Sequence, residues 1–253
     1  MSRKNGKRQT EQFLLQFICV AVLWATFSFA SVGSEEEGPS VGPVIIPAIV
    51  SAQTENTVAS ETARFFENTA FIGNSCIGDI YTYGMASGAD FFFRVGLSVK
   101  TVLTQSMTTG KAPIIDELNN RKYEKVFVML GENELGWVYP DYFVSDYGKV
   151  IEEIRRRQPD AAIYILSILP VSESTSAINR NCINNNRVQE YNALLANLAS
   201  QTGAVYIDVG ASIKDEKGYL PEDASSDGVH PNKKYCEKWV NSLKEQIIII
   251  KEI

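Results

Sequence analysis

Residues 69–78 read TAFIGNSCIG. An apolar run closes at Gly73, an Asn-Ser-Cys cluster follows, and helix-like sequence resumes at once. A strand that feeds directly into a helix is the junction of an alternating α/β chain. It places two nucleophile-bearing residues, Ser75 and Cys76, side by side. Asn74-Ser75 reads equally well as a plain helix cap.

Outward from this junction the same grammar repeats. Further short apolar runs are ADFFFRVG (89–96), EKVFVMLG (124–131), AAIYILSILP (161–170) and AVYIDVG (204–210). They are nearly continuously apolar, as strands buried on both faces must be. Between them lie amphipathic stretches. In 141–157 Phe143, Tyr147, Val150, Ile151 and Ile154 share one helical face, and in 188–200 Tyr191, Leu194, Leu195 and Leu198 do so. Gly203 is a helix stop. Strands alternating with helices predict a five-stranded parallel sheet covered on both faces. In such sheets ligands bind beyond the carboxyl ends of the strands, so the residues following each run are the candidates.

The chain has 253 residues, 45% of them hydrophobic, enough for one sizeable core. Its first residues, MSRKNGKRQTEQ, form a basic flank before an apolar stretch from Phe13 to Ala30. That pattern predicts export, either as a signal peptide cut after Ser28-Phe29-Ala30 or as an uncleaved anchor of bilayer-spanning length. The expected organisation is signal peptide or anchor over 1–33, a Gly/Pro/Ser-rich acidic linker over 34–60, and a catalytic domain over 61–253. The protein is accordingly expected to be secreted or held at the cell surface, touching the membrane only through its N-terminal segment.

Residues 1–30 hold four basic side chains and one acid, so the remainder carries 20 basic against 29 acidic groups, a formal charge of −9. That excess argues against nucleic acid as a partner. Beyond the apolar stretch the cysteines are Cys76, Cys182 and Cys236, with no CxxC spacing and a single histidine, so no resident metal or other cofactor is expected. In an exported protein Cys182 and Cys236 could pair.

The single histidine, His230, simplifies the accounting: a serine activated by imidazole has no other base. It stands in SSDGVHPN, where Asp227 precedes it by three residues and Pro231 suits the first turn of a helix over KKYCEKWVNSL. Asp227 either caps that helix or supports the imidazole through one ring nitrogen. The third run is followed by GENELGW, carrying Gly131, Glu132, Asn133 and Glu134, and the second ends in Gly96.

Taken together, Gly73-Asn74-Ser75, Gly96, Gly131-Glu132-Asn133-Glu134 and Asp227-x-x-His230-Pro231 resemble the four blocks of the SGNH, or GDSL-type, hydrolases. The resemblance spans roughly residues 67–245. It departs from the family pattern at Asn74, where an acid is usual, and at Glu134, where the usual acid is one methylene shorter. It implies a flavodoxin-like three-layer sandwich and a serine esterase with Ser75 as nucleophile, His230 as base and Asp227 as its support. It further implies an oxyanion hole from the Ser75 and Gly96 backbone N–H groups and the Asn133 amide. Asn74, Glu134 and Trp137 are expected to border the substrate pocket, and the substrate to be an ester on a glycan, acetyl above all, or on a lipid.

Other readings of the same residues compete: Cys76 as the nucleophile, Glu132 and Glu134 as a glycosidase pair, acyl transfer to a hydroxyl instead of water, and an inactive fold binding carbohydrate through the aromatics Trp137, Tyr139, Tyr142 and Phe143, the last of which also fits the core face of the next helix.

Overall fold

The computed structural model describes residues 64–252. The expected signal or anchor over 1–33 and the linker over 34–60 lie outside the described residues. No described helix is long and apolar enough to cross a membrane.

Five strands form one parallel sheet: β1 (Thr69–Gly73), β2 (Asp90–Phe93), β3 (Lys125–Met129), β4 (Ala162–Leu166) and β5 (Val205–Ile207), in the order β2-β1-β3-β4-β5. Each predicted run contains its strand, but the strands are shorter than the runs. The apolar tails of the runs, such as Ser167 to Pro170, leave the sheet and line the loops beyond it. Among the described residues five α-helices cover it: α1 (Ser75–Thr82), α2 (Pro140–Arg157), α3 (Glu173–Ile178), α4 (Asn185–Thr202) and α5 (Lys233–Glu252).

Side chains of each strand alternate between two cores, as the pleat dictates. Ala70 and Ile72 of β1 and Val126 and Val128 of β3 face the core built by α2 and α4. Phe71, Phe127 and Met129 face the core of α1 and α5, where the rings of Phe71 and Phe127 stack at 4.8 Å. The five predicted apolar positions of α2 are all buried. Burying each such large apolar side chain contributes roughly 1.5–3 kcal/mol, which fixes this face against the sheet. On α4, Tyr191, Leu195 and Leu198 are buried while Leu194 sits at the margin.

The chain runs from β1 outward to β2, then crosses to β3 on the other side of β1. This reversal opens a crevice above β1 and β3, the place where doubly wound sheets bind ligands. Gly73 pairs with Phe93 of β2 and with Met129 of β3, so three strands end level with one another. The Ser, Gly and Asn blocks leave the sheet at that one level.

Two expectations are corrected here. Cys182 and Cys236 are both free, Cys182 exposed in a loop and Cys236 buried on α5 with its thiol donating to the Pro231 carbonyl at 3.2 Å. Pro231 does not open the final helix, which starts at Lys233. The backbone N–H groups of Tyr235 and Cys236 bond back to Asn232 instead, so Asn232 starts the helix and leaves the Asp227–Pro231 turn free to hold the histidine.

Candidate active site

The β1–α1 junction is tight because Gly73 has no side chain. A Cβ there would run into the Ile77 side chain and lie 2.7 Å from the Met129 carbonyl. Asn74 is the N-cap of α1, its side-chain oxygen accepting from the Cys76 N–H at 3.1 Å. Ser75 is the first helical residue and is partly exposed at the crevice floor. Cys76, turned about 100° further round the helix, is 2% exposed and packs between α1 and the sheet.

His230 arrives from the far end of the chain. Its Nε2 lies 2.9 Å from Ser75 Oγ, and its Nδ1 lies 2.7 Å from Asp227 Oδ2. An ionised carboxylate only accepts, so Nδ1 carries the proton and Nε2 presents its lone pair to the serine hydroxyl. Asp227 does two jobs with two oxygens. While Oδ2 holds the ring, Oδ1 accepts from the backbone N–H groups of Val229 (2.9 Å) and His230 (2.8 Å) and from Ser225 Oγ (2.9 Å), so the same side chain shapes the turn that carries its partner. The cap proposed as its alternative role is absent, because the following helix starts too far along.

The turn is anchored from α3: the Ser172 N–H donates to the Gly228 carbonyl at 2.8 Å. Gly228 itself has φ of 76°, and a Cβ on it would collide with the Ser172 and Thr175 hydroxyls.

Electrostatics follow from this packing. Enclosure pushes the Asp227 carboxyl up, but the hydrogen bonds from His230, Val229 and Ser225 outweigh it and hold the group well below the ordinary carboxylate range. For His230, desolvation favours the neutral ring, yet the bond to Asp227 and the negative charge of Glu132, Asp227 and Asp79 prevail. The imidazole is raised above its ordinary value. A hydroxyl bonded to such a base can be deprotonated as it attacks, and the resulting imidazolium has a carboxylate ready to stabilise it.

The remaining blocks sit on the neighbouring strand ends. Gly96, with φ of 75°, follows β2 and its side-chain position faces open space. Asn133 lies in the short 3-10 turn Glu132–Glu134 after β3, and its amide donates to the Leu97 carbonyl at 2.9 Å. A primary amide has two N–H groups, so one locks the Gly96 loop and the other is free to meet an oxyanion.

Two of the expected pocket residues are placed elsewhere. Asn74 is 1% exposed and spends its side chain on the cap, so it does not border a substrate pocket. Glu134 is fully buried, and its Oε1 accepts from the Val99 N–H at 2.6 Å, so it is neither a pocket residue nor half of a glycosidase pair. Burial raises its pKa to about 7. Trp137 is partly exposed, with the Lys100 ammonium 5.0 Å from its ring centroid.

Two acids near the histidine were not singled out for this role in the sequence. Asp79 lies one turn after Ser75 on α1, and burial raises its pKa to about 6. Glu132 accepts from the Cys76 thiol at 3.2 Å, and burial raises its pKa as well. An acid at i+4 from a helix-opening serine is the signal that places Asp79 on the serine's face. Cys76, whose thiol is pushed well up by burial and by Glu132, is the less available of the two nucleophiles.

The fold agrees with known proteins. The profile of the GDSL-like Lipase/Acylhydrolase family matches residues 76–235, beginning one residue after Ser75. Solved structures share the fold. One, described as a platelet activating factor from Streptococcus pneumonia, is 21% identical, with TM-score 0.57 over 79% of this chain and 99% of that one. A GDSL-like lipase from Bacteroides thetaiotaomicron is 14% identical, with TM-score 0.53 over 81% and 98%. An acetylxylan esterase from Geobacillus stearothermophilus is 14% identical, with TM-score 0.50 over 71% and 93%. A comparison with curated proteins gave no match. With the family profile spanning most of the described domain and the fold shared with such hydrolases, the chain belongs to the GDSL-like lipase/acylhydrolase family and is a hydrolase of the SGNH esterase type.

Proposed function

We propose that the protein is a serine esterase that removes short acyl groups, acetyl above all, from glycans at or outside the cell surface. The observation that carries this reading is the continuous chain from Ser75 Oγ to His230 Nε2 at 2.9 Å and from Nδ1 to Asp227 Oδ2 at 2.7 Å.

Ser75 attacks the ester carbonyl as His230 takes its proton. The developing oxyanion is met by the Ser75 and Gly96 backbone N–H groups and the Asn133 amide, each well-placed donor lowering the barrier by roughly 3–4 kcal/mol. His230 then protonates the leaving alkoxide. Water, activated by the same imidazole, releases the acid from the acyl-serine.

Three features support an exported esterase acting on acylated glycans, of which the exposed aromatic rings weigh against lipids. The fold is shared with an acetylxylan esterase. Past Asn133, the loop offers Trp137 and the exposed rings of Tyr139 and Tyr142, which meet edge to face at 5.9 Å and can stack on sugars. The acidic domain behind a basic-flanked apolar segment suits an exported enzyme. Turnover of p-nitrophenyl acetate and butyrate by the purified chain, followed by acetate release from acetylated xylan, tests the reading. Preference for acetyl over butyryl and release from the polymer are expected; preference for long acyl chains on lipid vesicles would assign lipid esters instead.

A further inference from the structure

Beside Ser75, two α1 side chains that the esterase mechanism leaves unused, Cys76 and Asp79, meet the catalytic histidine in a set of metal-ligating groups. One donor atom each of Cys76, Asp79 and His230 lie within 4.8 Å of one another. Cys76 and Asp79 are three residues apart on the helix and so share a face, and His230 closes the set from the opposite loop. On the histidine the donor is Nε2, which would exchange Ser75 Oγ for the metal, because Nδ1 is held by the Asp227 carboxylate. A second observation concerns a member of the set: Asp79 Oδ2 is buried without a hydrogen-bond partner. A buried carboxylate oxygen with nothing to accept from is costly unless a cation or proton meets it. Beside the set, Glu132 already approaches the Cys76 sulfur at 3.2 Å.

We propose that this cluster is an inhibitory site for a borderline-soft divalent cation, Zn²⁺, bound by Cys76 Sγ, Asp79 Oδ2 and His230 Nε2. Thiolate, carboxylate and imidazole are the ligands Zn²⁺ prefers, and three of them leave a fourth tetrahedral position for water or Glu132. Tetrahedral zinc places its donors about 3.5 Å apart, so the set, whose donor atoms now lie within 4.8 Å of one another, closes somewhat around the ion. On binding, the Cys76 thiol gives its proton to solvent and the Nε2 lone pair goes to the metal. Ser75 thereby loses the group that would accept its proton. This rests on the esterase reading in one respect only: bound metal then stops ester turnover. The sequence hides the site because it lacks paired CxxC or histidine spacing; its ligands come together only when the α1 face meets the Asp227–Pro231 turn.

The test uses the full chain, stripped of metal by chelator, with two readouts. Zn²⁺ alone should inhibit p-nitrophenyl acetate turnover, with activity restored by chelator, and Cys76→Ala and Asp79→Asn should each weaken that inhibition at least about tenfold. Independently of activity, Co²⁺ should produce a near-ultraviolet thiolate-to-metal absorption band that Cys76→Ala abolishes and Asp79→Asn weakens. An active chain with no cobalt band, or equal zinc sensitivity in the wild type and both variants, overturns the site while leaving the esterase reading intact. A cobalt band in a chain that turns over no ester supports the site and counts against the esterase reading. Should Cys76→Ala fail to fold, Asp79→Asn carries both readouts, and unchanged zinc binding in that variant overturns the proposal.

Discussion

The carboxylate of Glu134, fully buried, accepts a 2.6 Å hydrogen bond from the backbone N–H of Val99, while the adjacent Asn133 amide donates to the carbonyl of Leu97. Two consecutive side chains beyond β3 thus stitch down the loop that carries Gly96. The Glu134 Oε2 has no partner, and its pKa is raised from 4.5 to about 7 by burial. In the unfolded chain it ionises near its ordinary value. Between these two values the folded state holds the proton and the unfolded state does not, so stability falls as pH rises from about 5 to 8, by up to about 3 kcal/mol from this group. Urea unfolding at pH 5 and pH 8 should show that loss in the wild type. In Glu134→Gln, which keeps an acceptor for Val99 but does not titrate, this contribution should vanish.

The raised His230 pKa predicts the acid limb of the activity profile. Neutral imidazole is the working form, so kcat/KM should rise with pH through a midpoint above 6.5. Asp227→Asn removes the charge and permits the wrong tautomer, and is expected to lower kcat about 10⁴-fold. A pH-rate profile of both proteins checks the midpoint and the loss together.

Asn133 is exposed, so its truncation leaves the core untouched. Asn133→Ala should lower kcat by about 10²- to 10³-fold, the usual cost of one oxyanion donor, with a stability loss of only about 0.5–1.5 kcal/mol from its hydrogen bond to Leu97. A drop confined to KM would remove Asn133 from the oxyanion hole.

At Gly228 backbone and space both demand glycine, since φ is 76° and a Cβ would meet Ser172 and Thr175. Gly228→Ala should displace the turn that holds Asp227 and His230 and lower kcat, with a stability loss of about 1–3 kcal/mol. Gly218→Ala is the matched comparison. Its φ is 89° but nothing lies within 4 Å of the added carbon, so it should cost stability and spare kcat.

Much of this was legible in the sequence because the informative signals are local. Near-continuous apolar runs marked all five strands, and the period of Phe143, Tyr147, Val150, Ile151 and Ile154 marked the buried face of α2 without error. A single histidine beside an aspartate was enough to nominate the partner that Ser75 meets in space. The sequence was silent where a role depends on burial. Asn74 and Glu134, two polar residues beside the site, looked like pocket residues, and packing turned one into a cap and the other into a loop anchor. Glu132 and Asp79 gather around the histidine from two different elements; the i+4 spacing puts Asp79 on the face of Ser75, but no spacing brings Glu132 there. The cysteine pair failed for the same reason: Cys236 faces the core from α5 while Cys182 lies on an exposed loop.

The central claim is that Ser75, not its neighbour Cys76, is the nucleophile. Mass spectrometry of the chain after reaction with a fluorophosphonate tests it most directly, because fragmentation of the peptide spanning both residues locates the adduct. The account predicts one phosphonyl group on Ser75, absent in Ser75→Ala and in His230→Ala and retained in Cys76→Ala. An adduct on Cys76, or labelling undiminished in Ser75→Ala, would contradict it.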